Sequence, residues 1–406
     1  MKIGILYNSP MNIGNAIMTI NFVWYTNLLL SNKPHFVISA FYGNNEKEKV
    51  KKNYRLELGN NVSFSVVKGR YLSSKGILTS LVNPLGKNSL SKKLDSKILS
   101  SDIIVALGGD IFASTYGELY AIIELMGLYL FKKRVKKPVL LISQTIGPFS
   151  GWRDRISAYL LKKFDIITCR ERLTYEYLAN KGLRNISLVA DLAFHHLPKR
   201  MQIKKEELVV LIPSRLLHMY MPSISYEEYV KLWVDLALYV RDQGFKVMFL
   251  PHAVNNEWDD DRLIIKDIHI ELHRKTRDLR EIYFIRKIPL PHEARYLYIG
   301  KSAVVITARM HAATSAICTG SIPLNLAYGE KSHGVLGKDF RLSNLVIDVR
   351  KVRSVKELKR RIAVSLKYIL TNYEAIQQEI LRKYKDKERE ALKNIYLFVK
   401  LAREWL

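Results

Sequence analysis

Short apolar segments of strand character recur along this chain, at residues 2–7, 36–41, 62–67, 103–107, 139–143, 166–169 and 187–189. Helical patterns fill several gaps, at 16–30, 91–99, 118–131, 152–164 and 173–181. Continuous apolar strands with helices between them predict a parallel, doubly wound α/β sheet covered on both faces. The pattern then restarts. After a charged stretch at 198–207, the expected domain boundary, strands are predicted at 208–213, 246–250, 283–285, 303–307, 322–327 and 345–347, with a helix at 226–243. Residues 354–406 read as two long helices.

A length of 406 residues suits two such units. With 48% hydrophobic and 25% charged residues, the chain has the makings of a real core, which excludes disorder and collagen-like classes. Cys169 and Cys318 stand alone without a CxxC spacing, against a disulfide framework or a finger-type zinc site. Lys and Arg number 65 against 38 Asp and Glu, a net charge of +27. That imbalance asks for an anionic partner: nucleic acid, an acidic membrane face or a phosphorylated substrate. The N-terminus lacks the pattern of a secretory signal, and the longest apolar run, 119–131, is interrupted by Glu124 and reads as a buried helix. The expectation is a cytoplasmic protein able to sit peripherally on the inner face of a membrane. A long basic loop at 70–99 and the basic tail are its natural contacts.

Six places carry candidate chemistry. Gly108 and Gly109 follow an apolar strand, where glycine lets backbone amides approach a ligand, and Asp110 can hold a hydroxyl. Gly147 follows the next strand, where a structural turn is the better reading. Arg170 ends a third strand and can meet a carboxylate or phosphate; the alternative is a salt bridge, with Glu171 one candidate partner. Asp191 is a strand-end carboxylate or a cap. His252, with Asp259–Asp261 nearby, suits metal or sugar binding, or the triplet is a helix N-cap run. The richest stretch places Arg309 and His311 before a small-residue helix, then Lys331 and His333 in a Gly-flanked loop after the next strand. Cations and imidazoles at adjacent strand ends make a site for a small dianion with proton transfer.

These stretches resemble the polysaccharide pyruvyltransferase family. The motifs are Ala106-Leu-Gly-Gly-Asp110, Ser143-Gln-Thr-Ile-Gly-Pro-Phe149, Cys169-Arg-Glu171, Ala190-Asp-Leu-Ala-Phe194, Leu250-Pro-His252, Ala308-Arg-Met-His311 and Ala327-Tyr-Gly-Glu-Lys331, in the family's order. Asn12-Ile-Gly-Asn15 is similar to the family's Gly-Asp opening with Asn in place of Asp. Asp110 stands where many members have a third Gly. The resemblance implies a glycosyltransferase-B-type fold of two Rossmann-like domains facing a cleft. The acceptor domain would span 1–200 and the donor domain 201–352, with helices 353–406 crossing back to the first.

The implied activity is transfer of pyruvate from phosphoenolpyruvate to two hydroxyls of a sugar, giving a cyclic ketal. The acceptor would be a polysaccharide, a glycolipid or a lipid-diphosphate-linked precursor. The resemblance carries donor binding and catalysis to Arg170, His311 and Lys331, with Arg309 beside them. Gly108, Gly109, Asp110, Gly147, Asp191, His252 and His333 are the remaining substrate-binding candidates. No step needs a metal or other cofactor. The alternative is a glycosyltransferase using a nucleotide sugar, with Glu293 or Asp339 to hold ribose. A nucleic-acid partner is disfavoured, since no DNA- or RNA-binding signature is found.

Overall fold

The structure, a computed structural model, describes residues 1–40, 58, 60–66, 96–197, 203–254 and 258–405. The chain divides into two compact units. The first comprises 1–10, 15–192 and 389–406; the second comprises 11–14 and 193–388.

The first unit is a seven-stranded parallel sheet in the order β3-β2-β1-β4-β5-β6-β7. Its strands are β1 (Lys2–Asn8), β2 (His35–Ala40), β3 (Val62–Val66), β4 (Ile103–Ala113), β5 (Val139–Gly147), β6 (Ile167–Cys169) and β7 (Ile186–Leu188). Ile103–Leu107 and all of β5 are buried, as in any sheet covered on both faces. The helices are α1 (Ile13–Leu29), α2 (Glu118–Val135), α3 (Gly151–Leu161) and α4 (Arg172–Asn180), α4 being capped by Glu171.

The second unit repeats the plan with six parallel strands, order β10-β9-β8-β11-β12-β13. They are β8 (Leu208–Ile212), β9 (Lys246–Phe249), β10 (Ile282–Phe284), β11 (Val304–Thr307), β12 (Ile322–Ala327) and β13 (Val346–Asp348). Its helices are α5 (Tyr226–Asp242), α6 (Asp261–Lys275), α7 (Met310–Thr319) and α8 (Val355–Thr371). Ser225 and Glu228 form a capping box on α5. Gly320, in the left-handed region at φ 75°, ends α7. The final helix, α9 (Tyr373–Glu404), begins in the second unit and ends in the first.

Every strand expected from the sequence is present. The differences lie at edges. β4 continues through Gly108 and Gly109, where a loop was expected, and on to Ala113 past a bulge between Gly109 and Phe112, and β5 runs on through Gly147. The boundary between units falls at 192/193 instead of 200/201. α8 groups with the second unit, through α5, and only 389–406 joins the first. His333 opens a π-helical segment, His333–Asp339, where a loop was expected. The basic loop at 70–99 lies outside the described residues up to 95.

Candidate functional site

In an open doubly wound sheet, ligands bind beyond the carboxyl ends of the strands where the strand order reverses. That point lies between β1 and β4 in the first unit, and between β8 and β11 in the second.

In the first unit the switch point carries Gly108, Gly109 and Asp110. Gly108 has φ 62°, and a Cβ there would meet the Met18 sulfur of α1 at 2.5 Å, so this glycine lets α1 pack. Gly109 has φ 95° and opens onto empty space. It pairs with Gln144, whose amide donates to Ala106 and Ile142 carbonyls while its buried Oε1 lacks a hydrogen-bond partner among the described residues. Gln144 was passed over in the sequence because it reads as a loop residue. Gly147 serves packing, since a Cβ would meet the Tyr177 ring at 2.6 Å.

Arg170 is fully buried. Its Nε donates to Thr145 Oγ1 at 2.8 Å and its Nη1 to Asp191 Oδ2 at 2.9 Å. Glu171 turns instead to the α4 N-terminus, accepting from the Thr174 amide. Two candidates from the sequence, Arg170 and Asp191, are therefore partners of each other. Binding a donor at Arg170 would require that ion pair to open.

The second switch point holds a denser cluster. Asp261, the first residue of α6, reaches back to β9, accepting from the His252 and Ala253 amides at 3.0 and 2.9 Å. The same carboxylate accepts from the Arg309 guanidinium, which also pairs with Asp259 at 2.6 Å. Burial works against the charge on Arg309, but Asp259 and Asp261 outweigh it and raise the guanidinium above its usual value. Burial pushes Asp261 up to about 6 against the pull of Arg309, so it is ionised at neutral pH. The acidic triplet thus divides its labour: Asp260 caps α6, and its neighbours clamp Arg309.

His252 is buried, and its Nε2 has no hydrogen-bond partner among the described residues. Burial, with His311, Arg309 and Arg295 adding to it, pushes its imidazole well below the usual range, so it is neutral. His311 is half-buried in the first turn of α7. The segment Met11–Gly14 packs here: the Ile13 amide donates to the His252 carbonyl at 3.0 Å, and the Val254 amide to Met11 at 2.9 Å. Gly14 lies flat against His311, where an added Cβ would come within 2.1 Å of Nδ1. Lys331 lies over the Tyr328 ring, Nζ 4.7 Å from its centroid, and donates to its hydroxyl at 3.1 Å. Tyr328 stacks in turn on Tyr220. Ser214 Oγ, beyond β8, and Asn325 Oδ1, on β12, are further buried polar atoms without partners among the described residues. Sequence reasoning missed both, since isolated Ser and Asn carry no pattern.

His333 is set apart. It pairs with Asp348 at 3.2 Å, and Asp348 is held by Arg350, itself joined to Glu330. Among the described residues, no three His, Cys, Asp or Glu side chains converge as metal ligands.

Buried neutral imidazoles make the second unit acid-sensitive. His195 is pushed down to about 4, mainly by burial. A depressed imidazole leaves the unfolded chain to take up protons first. Its contribution is therefore complete above about pH 6.5 and falls as pH drops toward 4, worth about 3 kcal/mol for His195. Tm is expected to decline across that window, with a shallower slope in His195→Gln. An unchanged slope would show that His195 is not the group responsible.

The architecture is that of the glycosyltransferase-B class. A UDP-GlcNAc 2-epimerase from Neisseria meningitidis, solved with UDP-GlcNAc, aligns at TM-score 0.54 and 11% identity, covering 99% of this chain and 100% of the other. S. aureus MnaA, solved with UDP, aligns at 0.59 and 13%, covering 100% and 97%. A ugt transferase from Siraitia grosvenorii, also with UDP, aligns at 0.55 and 9%, covering 98% and 99%. At such identities the likeness is one of fold. Residues 18–320 match the polysaccharide pyruvyl transferase family, and the chain belongs to it. It is accordingly a transferase that acts with pyruvate on polysaccharide. No curated protein matches the sequence.

Proposed function

We propose that this protein moves pyruvate from phosphoenolpyruvate onto two hydroxyls of one sugar, in a polysaccharide or its precursor, forming a cyclic ketal and releasing phosphate. The carrying observation is the second unit's switch point. There His311 and the amides of the first turn of α7 stand near the neutral His252, whose Nε2 lacks a hydrogen-bond partner among the described residues, and Lys331 donates to Tyr328, which lies near Arg309. Helix amides and an ammonium suit a compact carboxylate and phosphate.

The balance of the reaction defines what the residues must do. The donor's CH2 carbon gains one proton and becomes a methyl group. Its C2 forms two C–O bonds to the sugar and loses both the π bond to that carbon, whose electrons take up the proton, and the C–O bond to phosphate. Of the two hydroxyl protons, one matches the proton gained by carbon and the other leaves with phosphate. His311, an imidazole held in place, moves protons at these steps. Lys331 neutralises the phosphate as it departs. Arg309, its charge matched by two carboxylates, positions the α7 N-terminus. Asp110, on the bulge of the first sheet, is the candidate for an acceptor hydroxyl. This chemistry asks for no metal or further cofactor.

The test is phosphate release from phosphoenolpyruvate with pooled sugar acceptors. Acceptor-dependent release is expected, lowered on the order of 10²-fold in Lys331→Ala. If phosphoenolpyruvate gave neither turnover nor a thermal shift while a nucleotide sugar gave one, the glycosyltransferase reading would replace this one.

A further inference from the structure

The first unit presents an amphipathic face that the reaction does not use. Helix α2 is apolar on nearly every side. Its inner side, with Ala121, Ile122, Leu125 and Leu128, belongs to the core. Residues 119, 123, 126 and 130 follow helical spacing on another side. Leu119 is 54% exposed and Leu130 half-buried, while Ile123 and Met126, also half-buried, pack in part against the core. That stripe ends in exposed Lys133 and Arg134.

Beside it, α3 turns out Trp152 (53% exposed), Arg155 and Tyr159 (57% exposed), and Lys162 and Lys163 follow at its end. Cations and rings interleave: Arg153 lies 4.9 Å from the Trp152 ring, Lys163 4.9 Å from Tyr159 and Lys133 5.2 Å from Tyr129. The four acidic residues between 118 and 165 offset this charge only in part. Glu124 is buried, Glu118 binds Ser150 and lies 3.8 Å from Arg153, Asp154 pairs with Lys181, and Asp165 pairs with Lys132. Nine Lys and Arg occupy the same span.

We infer that the α2–α3 face docks on an anionic lipid bilayer, with Leu119, Trp152 and Tyr159 entering the interface and Lys133, Arg155 and Lys163 meeting headgroup phosphates. Aromatic rings with a polar edge partition to the headgroup level, basic residues beside them gain from anionic lipid, and an apolar stripe gains from burial. The charge is complementary to an anionic bilayer, and neither to a second copy nor to the segment 67–95. A second copy would bring +27 against +27, and the segment 67–95 carries six Lys or Arg and one Asp. A purely polyanionic partner would leave the exposed Leu119, Trp152 and Tyr159 without purpose. The mode is docking, since among the described residues no helix is long and apolar enough to cross a membrane.

The experiment is flotation of the full chain with vesicles of phosphatidylcholine alone or mixed equally with phosphatidylglycerol, at low and at high salt. Binding is expected only to the anionic vesicles and should weaken with salt. Trp152→Ser with Tyr159→Ser, and separately Lys133→Glu with Lys163→Glu, should each lower the partition coefficient about 10-fold or more. A control pair on α9, Lys385→Glu with Lys393→Glu, should change it far less. All six sites are on the surface, so circular dichroism and Tm should stay at wild-type values. Absence of wild-type binding overturns the proposal, as does binding that the α2–α3 variants leave intact. A loss in the charge pair but not the aromatic pair also overturns it, in favour of a nucleic acid or acidic polysaccharide.

Discussion

His311→Ala is expected to lower acceptor-dependent phosphate release by about 10²–10⁴-fold while leaving Tm nearly unchanged. The side chain is only half-buried, at the start of α7, so its removal subtracts proton transfer more than core packing. The companion variant is Gly14→Ala. Its new methyl would come within 2.1 Å of Nδ1 and must push the ring aside. A displaced imidazole should reduce kcat, shift the pH–rate profile and change KM less. Undiminished release in His311→Ala would sink the assignment. Loss of release in Gly14→Ala with an unshifted pH profile would mean that Gly14 serves only the fold.

Asp261→Ala carries the largest expected stability effect. The carboxylate satisfies two backbone amides and one side of the Arg309 guanidinium, all within the second unit. Removing it leaves a buried cation half-compensated and two donors open, at a cost of about 3–5 kcal/mol. Asp259→Ala should cost much less, because Asp259 is 18% exposed and Asp261 remains. Thermal and urea denaturation of both variants would read the difference. Equal small losses would mean that Arg309 is held by something other than this clamp.

The sheets were legible because parallel strands buried on both faces are unbroken apolar runs, and β8 or β11 can be read directly from their Val, Leu and Ile. Their extensions were not. Gln144 and Thr145 look like loop residues, yet they continue β5 because side-chain and backbone hydrogen bonds satisfy them inside the sheet. The start of helix α6 was legible only as one of two alternatives, because Asp259–Asp261 suits a ligand cluster as well as an N-cap run, and clamp and cap use the same residue type. The segment His333–Asp339 escaped because a π-helical turn inserts a residue and breaks the 3.6-residue period.

For the site, residue types were legible and partners were not. Arg170 pairs with a residue 21 positions on, Arg309 with one 48 positions back, and Gly14 meets His311 across nearly the whole chain. No local pattern encodes such pairs. Candidate residues can be picked from strand ends, but whether a cation is available or already neutralised is decided by tertiary contacts.

The division of the chain has a consequence for the order in which it can be completed. Phe398 packs edge-on to Phe22, with 4.9 Å between ring centroids, and Asn394 accepts from Thr168 at 2.6 Å and donates to the Ala190 carbonyl. Residues 389–406 belong to the first unit, while residues 11–14 belong to the second. During synthesis residues 15–192 emerge before the segment that completes their core, and that segment follows only after the whole of 193–388. Closure of the first unit's core therefore waits on residues made after the second unit.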